Sequence, residues 1–465
     1  METKQSIATV SERIADFVQS FSMDSLPKEV VERAKTLVLD SLGNAVLCMG
    51  SEATEAIRKT ILGSSREGWN GKLWGTDTTC ALEDSVIYNA ALIHGNDYDD
   101  THVAAIVHPG AAVNSASITL GAALGKSGRQ ILEAMMIGWV VAVELGVAAK
   151  GGFHDKGFHA TAILASFSAA ASIAKLLGCS REETINAIGI CGSQSAGIQA
   201  FLADGTWSKR MHPGWGAHSA LYAIRLAQNG FKGPLQVFEA KFGMWLSHLG
   251  TKDGLDEVLT GDRAAQRIME ITPKLYPVCH MTHAYIACMQ ELQHKHQITA
   301  DKIASIHCKV DPLFYEVVCE PKQEKWHPTS DYTLRFSLPY IVAVCAVTGT
   351  FRNGDLDLSH LEKAEIRSLM SRITCESDVG VRSPGHFPGW MEVRLHSGEK
   401  YVVHHPQEPG APSMPIDHEQ VMGKFRDNTA QHMTEQQMTQ INQLVMDLDT
   451  LPRIDSILEL MVPSK

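Results

Sequence analysis

Residues 94–110, with the sequence HGNDYDDTHVAAIVHPG, concentrate acid–base groups in one short segment between two predicted helices. The side chains in question are Asp97, Asp99, Asp100, Thr101, His102 and His108. A loop of this composition can hold a general base beside a general acid. A structural interpretation stays open beside the catalytic one. Asp100 and Thr101 can cap the next helix, and Asp99 and His102 can have similar structural roles.

The same loop also offers ligands for a metal ion, because three carboxylates and a histidine are plausible donors. Magnesium-dependent diphosphate enzymes with Asp-rich motifs need a second acidic motif, and this sequence shows none. We therefore expect no metal. A metal-dependent lyase built on Asp97, Asp99 and Asp100 is kept as an alternative.

A basic segment, DGTWSKRMHPGWGAHSA at residues 204–220, places Lys209, Arg210 and His212 within four residues. On a helix these groups would fan around the axis, whereas on a loop bounded by Gly and Pro they can converge. An Arg fork and a Lys point charge suit a substrate carboxylate, although a solvated basic turn is the structural alternative. The nearby Gly-Trp-Gly lacks the third glycine and the preceding strand of a dinucleotide-binding loop.

A third segment, KLYPVCHMTHAY at residues 274–285, contains Lys274, Cys279, His280 and His283. The two histidines are three residues apart, which favours helix packing or capping over a zinc site in the absence of further ligands. By pattern alone, His159 in FHATA and Tyr315 in DPLFYEV would be taken as structural residues.

The elements that must position these groups are mostly helices. The first 270 residues have helical periodicity, and small-residue runs at 110–125 and 161–178 allow close helix packing. After residue 271 the pattern changes, with a strand predicted at 303–310 and a β-hairpin at 391–405 turning at Ser397-Gly398. We expect a mainly α fold. A large all-helical domain is formed by 1–270 and by C-terminal helices at 409–465, and a smaller α+β lid domain is inserted at 271–408.

Composition narrows the class of protein. The 465 residues carry a net charge of −11, which argues against a nucleic-acid binder and requires a local basic cluster for any anionic substrate. The longest apolar stretch, residues 134–143, is shorter than the roughly 20 residues that span a bilayer and is predicted to be a buried helix. The first 18 residues lack the pattern of a signal peptide, and ten scattered cysteines indicate free thiols. We expect a cytoplasmic protein without membrane segments.

Four motifs in order resemble those of the MmgE/PrpD family, and the resemblance runs from about residue 40 to about residue 460. They are DYDDT followed by HPG, then GTWSKRMHPGW, then KLYPVCHMTH, and finally RFSLPYIVA at 335–343. Members of this family include 2-methylcitrate dehydratase, cis-aconitate decarboxylase and iminodisuccinate epimerase. The resemblance implies a helical domain with an inserted lid, a homodimer, a small carboxylic-acid substrate and no organic cofactor.

The resemblance also implies site residues at matching positions. These are Asp97, Thr101, His108, His159, Lys209, Lys274 and Tyr315. The expected substrate-binding set consists of Thr101 and Tyr315, as hydrogen-bond donors, with Arg210 and His212 from the basic segment and Cys279. His108 is expected to move the proton, Asp97 to orient it, and His159 to be a second acid or base. The cations Lys209, Lys274 and Arg210 are expected to hold the substrate carboxylates.

Departures from the family's branches rank the possible reactions. The 2-methylcitrate dehydratases have Asn at the position of Asp99 and an acidic, Trp-containing stretch where this chain has Ala-Ala-Ile-Val. The animal cis-aconitate decarboxylases share the Asp-x-Asp-Asp-Thr pattern. Their spacing from Thr to His is one residue shorter, and they have His at the position of Cys279. We expect a cis-aconitate decarboxylase-like lyase. A 2-methylcitrate dehydratase, an imino-dicarboxylate epimerase and, more distantly, a non-catalytic homologue are the alternatives.

Overall fold

The computed structural model describes residues 8–463, except for residues 53, 56–57, 59–69, 204 and 412–413. The first seven residues, on which part of the signal-peptide prediction depends, lie outside the described residues, as does Asp204 of the basic segment. The chain divides into two compact units. The first comprises Met1–Gln199, Ser208–Pro273 and Asp417–Lys465, and the second comprises Ala200–Trp207 and Lys274–Ile416. The prediction that the second unit acts as a lid stays a prediction.

Where the structure describes it, the first unit is built from helices and a two-stranded antiparallel sheet formed by β1, Asn70–Lys72, and β2, Thr79–Ala81. Up to residue 228, the described residues of this unit include the helices α1 Val10–Ser20, α2 Lys28–Leu47, α3 Leu82–His94, α4 Pro109–Ala123, α5 Gly128–Ala149, α6 Gly152–Asp155, α7 Ala160–Leu177, α8 Arg181–Cys191 and α9 Ser208–Gln228. A short helix α10, Ala264–Met269, follows. A capping box of Ser180 and Glu183 stabilises the start of α8.

The second unit combines helices with a four-stranded sheet. Its helices are α11 His283–His296, α12 Pro312–Val318, α13 Lys322–Trp326, α14 Asp331–Leu334, α15 Leu338–Thr348 and α16 Ala364–Met370. Its strands are β3 Ile303–Val310, β4 Ile373–Ser377, β5 Gly389–Leu395 and β6 Lys400–His405, in the order β4-β3-β5-β6. Strand β4 runs parallel to β3, while β5 is antiparallel to both of its neighbours, β3 and β6. The predicted strand at 303–310 and the hairpin turning at Ser397-Gly398 are confirmed, as is the mainly α class.

Three C-terminal helices belong to the first unit: α17 His418–Thr429, α18 Glu435–Met446 and α19 Asp455–Leu460. Helix α17 supports the acidic loop through Lys424, whose ammonium donates to the backbone carbonyl of Tyr98 at 2.6 Å and pairs with Asp40 at 2.6 Å. The ammonium also lies 3.7 Å from the centre of the Tyr98 ring. A residue far along the chain thereby fixes the backbone between Asp97 and Asp99.

Two core helices, α5 and α7, are long and apolar enough to cross a membrane by length and composition alone. The apolar stretch at residues 134–143 is the central part of α5, and the whole helix is longer, at 22 residues. In both helices, 89% of the most apolar window is buried inside the protein. The predicted role as buried core is therefore confirmed for this apolar stretch.

Glycines in α9 let it approach its neighbours closely. A Cβ atom on Gly216 would lie 2.3 Å from the Cβ of Ala165 in α7, and one on Gly214 would lie 2.7 Å from the backbone of Ile87 in α3. Both distances are far below van der Waals contact. The Gly-Trp-Gly pattern is therefore explained by helix packing, and this packing sets the position of the N-terminal turn of α9.

Candidate active site

His108 occupies the N-cap position of α4 and is fixed by both its backbone and its ring. Its backbone N–H donates to Oγ1 of Thr161 in α7 at 3.0 Å. Its ring Nδ1 lies 3.0 Å from the carbonyl oxygen of Asp100. A carbonyl oxygen can only accept, so Nδ1 carries the proton and a neutral His108 has its lone pair on Nε2. In this tautomer Nε2 is the ring nitrogen that can accept a proton.

Thr101 supports the same ring. Its Oγ1 lies 3.3 Å from Nδ1 of His108, and its backbone forms a bridge with Thr272 that anchors the loop. The side chain is buried, at 3% exposure. The structure brings Thr101 and His108 together, while the predicted contact of Thr101 with substrate stays a prediction.

Two other residues of this loop, Asp100 and His102, have structural roles. Asp100 accepts from the backbone N–H of Gly110 at 3.0 and 3.2 Å, so its predicted capping role is confirmed. Burial, with the charges of Asp99 and Asp40 nearby, raises the pKa of Asp100 well above its usual value. His102 is held in place by Glu270, the residue that follows helix α10, because its Nε2 lies 3.0 Å from the Glu270 carboxylate.

Asp97 lies between the His108 ring and the Lys209 ammonium. Its Oδ1 is 2.9 Å from the Lys209 ammonium and 3.6 Å from Nε2 of His108. Its backbone is held at φ 50°, in the left-handed region that non-glycine residues seldom adopt. Such strain persists where surrounding structure enforces it, and it is frequent at functional sites. The distance to His108 is compatible with the expected orienting role of Asp97, whereas the ion pair of Asp97 with Lys209 was not predicted.

The basic segment is helical, which decides between the helix and the Gly/Pro-bounded loop that the sequence left open. Lys209, Arg210 and His212 all lie in the first turns of α9, and each is buried, at 6%, 5% and 9% exposure. Burial of three cationic or donor groups also argues against a solvated basic turn. Lys209 and His212 point toward the histidines of the first unit, as their contacts with Asp97 and His159 show.

His159 and His212 form a directly bonded histidine pair. His159 is the N-cap residue of α7, and its Nδ1 lies 3.1 Å from Nδ1 of His212. Burial, followed by the positive charge of Lys209, keeps the pKa of His159 well below its usual value. Burial, with His94 and Lys209 nearby, lowers the pKa of His212 to about 4. Both rings are therefore neutral at neutral pH.

Three helix N-termini meet around these side chains. Helices α4 and α7 begin directly after His108 and His159, and α9 begins one residue before Lys209. Each N-terminus carries a partial positive charge of roughly half an elementary charge. With the lysine, they create a local field that favours a bound anion, in a protein whose net charge is −11.

Sequence reasoning missed two histidines of this cluster, His94 and His154. His94 ends α3, and its ring centre lies 4.9 Å from that of His108 and 5.7 Å from that of His159. His154 contacts His159 edge-on at 6.4 Å, and burial with the charge of Lys209 lowers its pKa to about 4. The sequence signal for His94 was its place three residues before Asp97, at the end of the helix that leads into the acidic loop.

A metal ion could be held by His94, Asp97, Asp99 and His108, whose ligand atoms lie within 4.8 Å of one another. This set differs from the sequence-based alternative of three carboxylates, because Asp100 is engaged with Gly110. One of the four, Asp97, already pairs with the Lys209 ammonium at 2.9 Å. That ammonium supplies positive charge where a metal would supply it. The acid–base interpretation therefore fits the geometry better than the metal one.

Three predicted site residues lie in the second unit. Lys274 is 1% exposed, and Cys279 is buried, with its backbone N–H donating to the carbonyl of Arg335 at 2.9 Å. Tyr315 lies on helix α12 after strand β3, and burial raises the pKa of its phenol. His280 and His283 are buried with ring centres 4.5 Å apart, in keeping with the packing interpretation. The roles proposed for Lys274, Cys279 and Tyr315 stay predictions.

Comparisons with known proteins find two matching family models and relatives that match this chain over nearly its whole length. The MmgE/PrpD N-terminal domain matches residues 12–254, and the MmgE/PrpD C-terminal domain matches residues 276–449. A cis-aconitate decarboxylase-like protein from Aspergillus oryzae is 24% identical over 97% of both chains. The cis-aconitate decarboxylase of Aspergillus terreus is 23% identical over 97% of this chain and 96% of its own length. That of Homo sapiens is 24% identical over 96% of this chain and 93% of its own.

Proposed function

This chain belongs to the MmgE/PrpD family, and we propose that it is a lyase that removes CO2 from cis-aconitate or a closely related polycarboxylate without a resident cofactor. The relatives that share nearly its whole length at 23–24% identity carry the name cis-aconitate decarboxylase. The observation that carries the proposal is the position of His108. With Nδ1 donating to the carbonyl of Asp100, the lone pair of the neutral ring is on Nε2, which lies 3.6 Å from the carboxylate of Asp97, beside Lys209.

The chemistry of cis-aconitate requires one proton transfer to carbon. When the C–C bond to the carboxylate on the CH2 group breaks, CO2 leaves and the electron pair shifts the double bond by one position. Negative charge then develops on the carbon next to another carboxylate, and that carbon must accept a proton. An imidazolium at His108 would deliver this proton from Nε2, and the resulting neutral ring would regain it from solvent.

The remaining carboxylates need cationic partners. Lys209 is held by Asp97 at 2.9 Å, and Arg210 is buried in the same helical turn. With three helix N-termini nearby, these groups would bind carboxylates and stabilise the developing negative charge. Lys274 is proposed to bind a further carboxylate, as its position in the family motif implies.

A second candidate is favoured by the pair of His159 and His212. Dehydration of 2-methylcitrate, or epimerisation of an imino-dicarboxylate such as iminodisuccinate, moves protons at two places and needs a second acid or base. The neutral, directly bonded pair can accept a proton at one ring and give it up at the other. This alternative uses the same His108.

Incubation with three substrates in D2O separates these reactions. Purified protein would be mixed with cis-aconitate, 2-methylcitrate and iminodisuccinate, each with and without EDTA, and products followed by NMR. The proposal predicts itaconate with one deuterium in the CH2 group next to a carboxylate, at a rate that EDTA does not change. Deuterium at an α-carbon of iminodisuccinate without CO2 release would establish the epimerase instead. Turnover abolished by EDTA and restored by a divalent metal would establish the metal-dependent alternative.

A further inference from the structure

We propose that His94 is a positioning residue that fixes the tautomer and orientation of His108 through Asp99. This inference rests on the proposed role of His108 as the proton-transfer group. His94 is the last residue of α3 and is 1% exposed. It lies three residues before Asp97, outside the motif that carries the family resemblance.

The contact between His94 and Asp99 defines one proton. Nδ1 of His94 lies 2.8 Å from Oδ2 of Asp99, and both side chains have no exposed surface. An ionised carboxylate oxygen accepts only, so Nδ1 of His94 carries the hydrogen. A charge-assisted hydrogen bond of this length is among the stronger ones in proteins. It fixes the carboxylate plane of Asp99.

The second oxygen of Asp99 then serves His108. Oδ1 lies 3.5 Å from Nδ1 of His108, the nitrogen that donates to the carbonyl of Asp100. Negative charge beside Nδ1 keeps the proton on that nitrogen and leaves the lone pair on Nε2. The edge-on contact of the two rings, with centres 4.9 Å apart, limits rotation of His108 at the same time. Outer partners that orient a functional histidine in this way commonly contribute about 10- to 100-fold to function in metal sites.

A packing role alone does not account for His94. Its Nε2 is buried and has no hydrogen-bond partner among the residues that the structure describes. Leaving a buried polar atom unsatisfied costs about 1–3 kcal/mol. An aliphatic side chain would fill much of the same space without that cost, so the imidazole must be retained for what its Nδ1 does.

Substitutions at His94 can separate the donor from the ring. In His94→Asn, the amide nitrogen takes nearly the place of Nδ1 and keeps a donor for Asp99. In His94→Leu the donor is lost, and in His94→Gln it is moved toward the place of Nε2. We expect kcat to fall about 10- to 100-fold in His94→Leu and His94→Gln, with KM within about threefold of wild type. His94→Asn should keep kcat within about threefold.

A second readout does not depend on turnover. NMR of protein labelled with 15N in histidine reports whether Nδ1 or Nε2 of His108 carries the proton, with His108→Asn used for assignment. Wild type and His94→Asn should show the Nδ1–H form, and His94→Gln or His94→Leu should show a changed population. If the wild type turned over none of the three substrates, the proposed function would fail while this readout still decided the role of His94.

Two results would overturn the inference. One is an unchanged His108 tautomer in folded His94→Gln or His94→Leu. The other is an equal loss of kcat in His94→Asn and His94→Gln, which would show that the imidazole is needed for something other than its donor. If His94→Leu does not fold, the comparison of His94→Asn with His94→Gln still tests the inference.

Discussion

The Nδ1 atoms of His159 and His212 lie 3.1 Å apart, so one ring must donate and the other must accept. Only one Nδ1 of the pair can therefore carry a proton, and the ring that accepts has its own proton on Nε2 when neutral. Burial lowers the pKa of both rings, with Lys209 contributing to each. The pair is consequently a proton-sharing unit that stays uncharged at neutral pH.

Asparagine substitutions test which ring of this pair takes part in turnover. The amide nitrogen of Asn stands near the place of Nδ1, so each variant keeps a hydrogen bond and loses only Nε2. If His159 is the second acid or base, His159→Asn should lower kcat about 100-fold, within the range for general acid–base catalysis. His212→Asn should stay within about fivefold of wild type. Steady-state kinetics on the accepted substrate would check this, and a reversed order would assign the role to His212.

The histidines with lowered pKa values predict acid sensitivity of the fold. His154 and His212 have pKa values lowered to about 4, while an unfolded histidine titrates near 6.5. Because the unfolded chain binds these protons first, their stabilising contribution is complete above about pH 6.5 and is lost as pH falls toward 4. Each such group steepens the dependence of unfolding free energy on pH by up to about 1.4 kcal/mol per pH unit.

The matched variant for this prediction is His154→Gln, which removes one titrating ring. Urea unfolding at several pH values between 6.5 and 5 gives the free energy of unfolding at each pH. This free energy should fall less steeply with decreasing pH in the variant than in wild type. Equal slopes in the two proteins would show that the folded-state pKa of His154 is not lowered.

Two glycines in helices should respond to alanine in opposite directions. At Gly216, the new Cβ would lie 2.3 Å from the Cβ of Ala165, so Gly216→Ala should destabilise the protein by about 1–3 kcal/mol. At Gly423 in α17, no atom of the described residues lies within 4 Å of the position that a Cβ would take, so Gly423→Ala should stabilise by about 0.5–1 kcal/mol. Thermal or denaturant unfolding measures both, and a neutral Gly216→Ala would contradict the close approach of α9 to α7.

Local sequence patterns predicted much of the fold. Period-2 alternation predicted β3 at its observed limits, and the Ser-Gly turn predicted the β5–β6 hairpin, because such signals depend on neighbouring residues. The sequence left residues 208–212 open between helix and loop, since glycine and proline nearby also allow a loop, and the structure shows a helix. Tertiary packing of Gly214 and Gly216 against two other helices overrides that local signal.

The candidate site was predictable only in part for a similar reason. Asp97, Thr101 and His108 are close in sequence, and their contacts follow from one loop. The contacts of Lys209 with Asp97 and of His212 with His159 join segments more than 50 residues apart. Spacing alone does not contain such pairings, and neither was predicted; the family resemblance named Asp97, His159 and Lys209 only as separate site residues. The place of His94 three residues before Asp97 was a weak sequence signal, because its contact with Asp99 is visible only in the folded structure.

The most direct test of the proposed mechanism is the turnover of His108→Asn. This substitution keeps a donor near the place of Nδ1 for the carbonyl of Asp100 and removes only Nε2, the proposed proton-transfer atom. With cis-aconitate in D2O, the mechanism predicts that kcat for itaconate falls by at least about 100-fold while the unfolding midpoint stays close to that of wild type. Folded His108→Asn that forms singly deuterated itaconate at nearly the wild-type rate would contradict it.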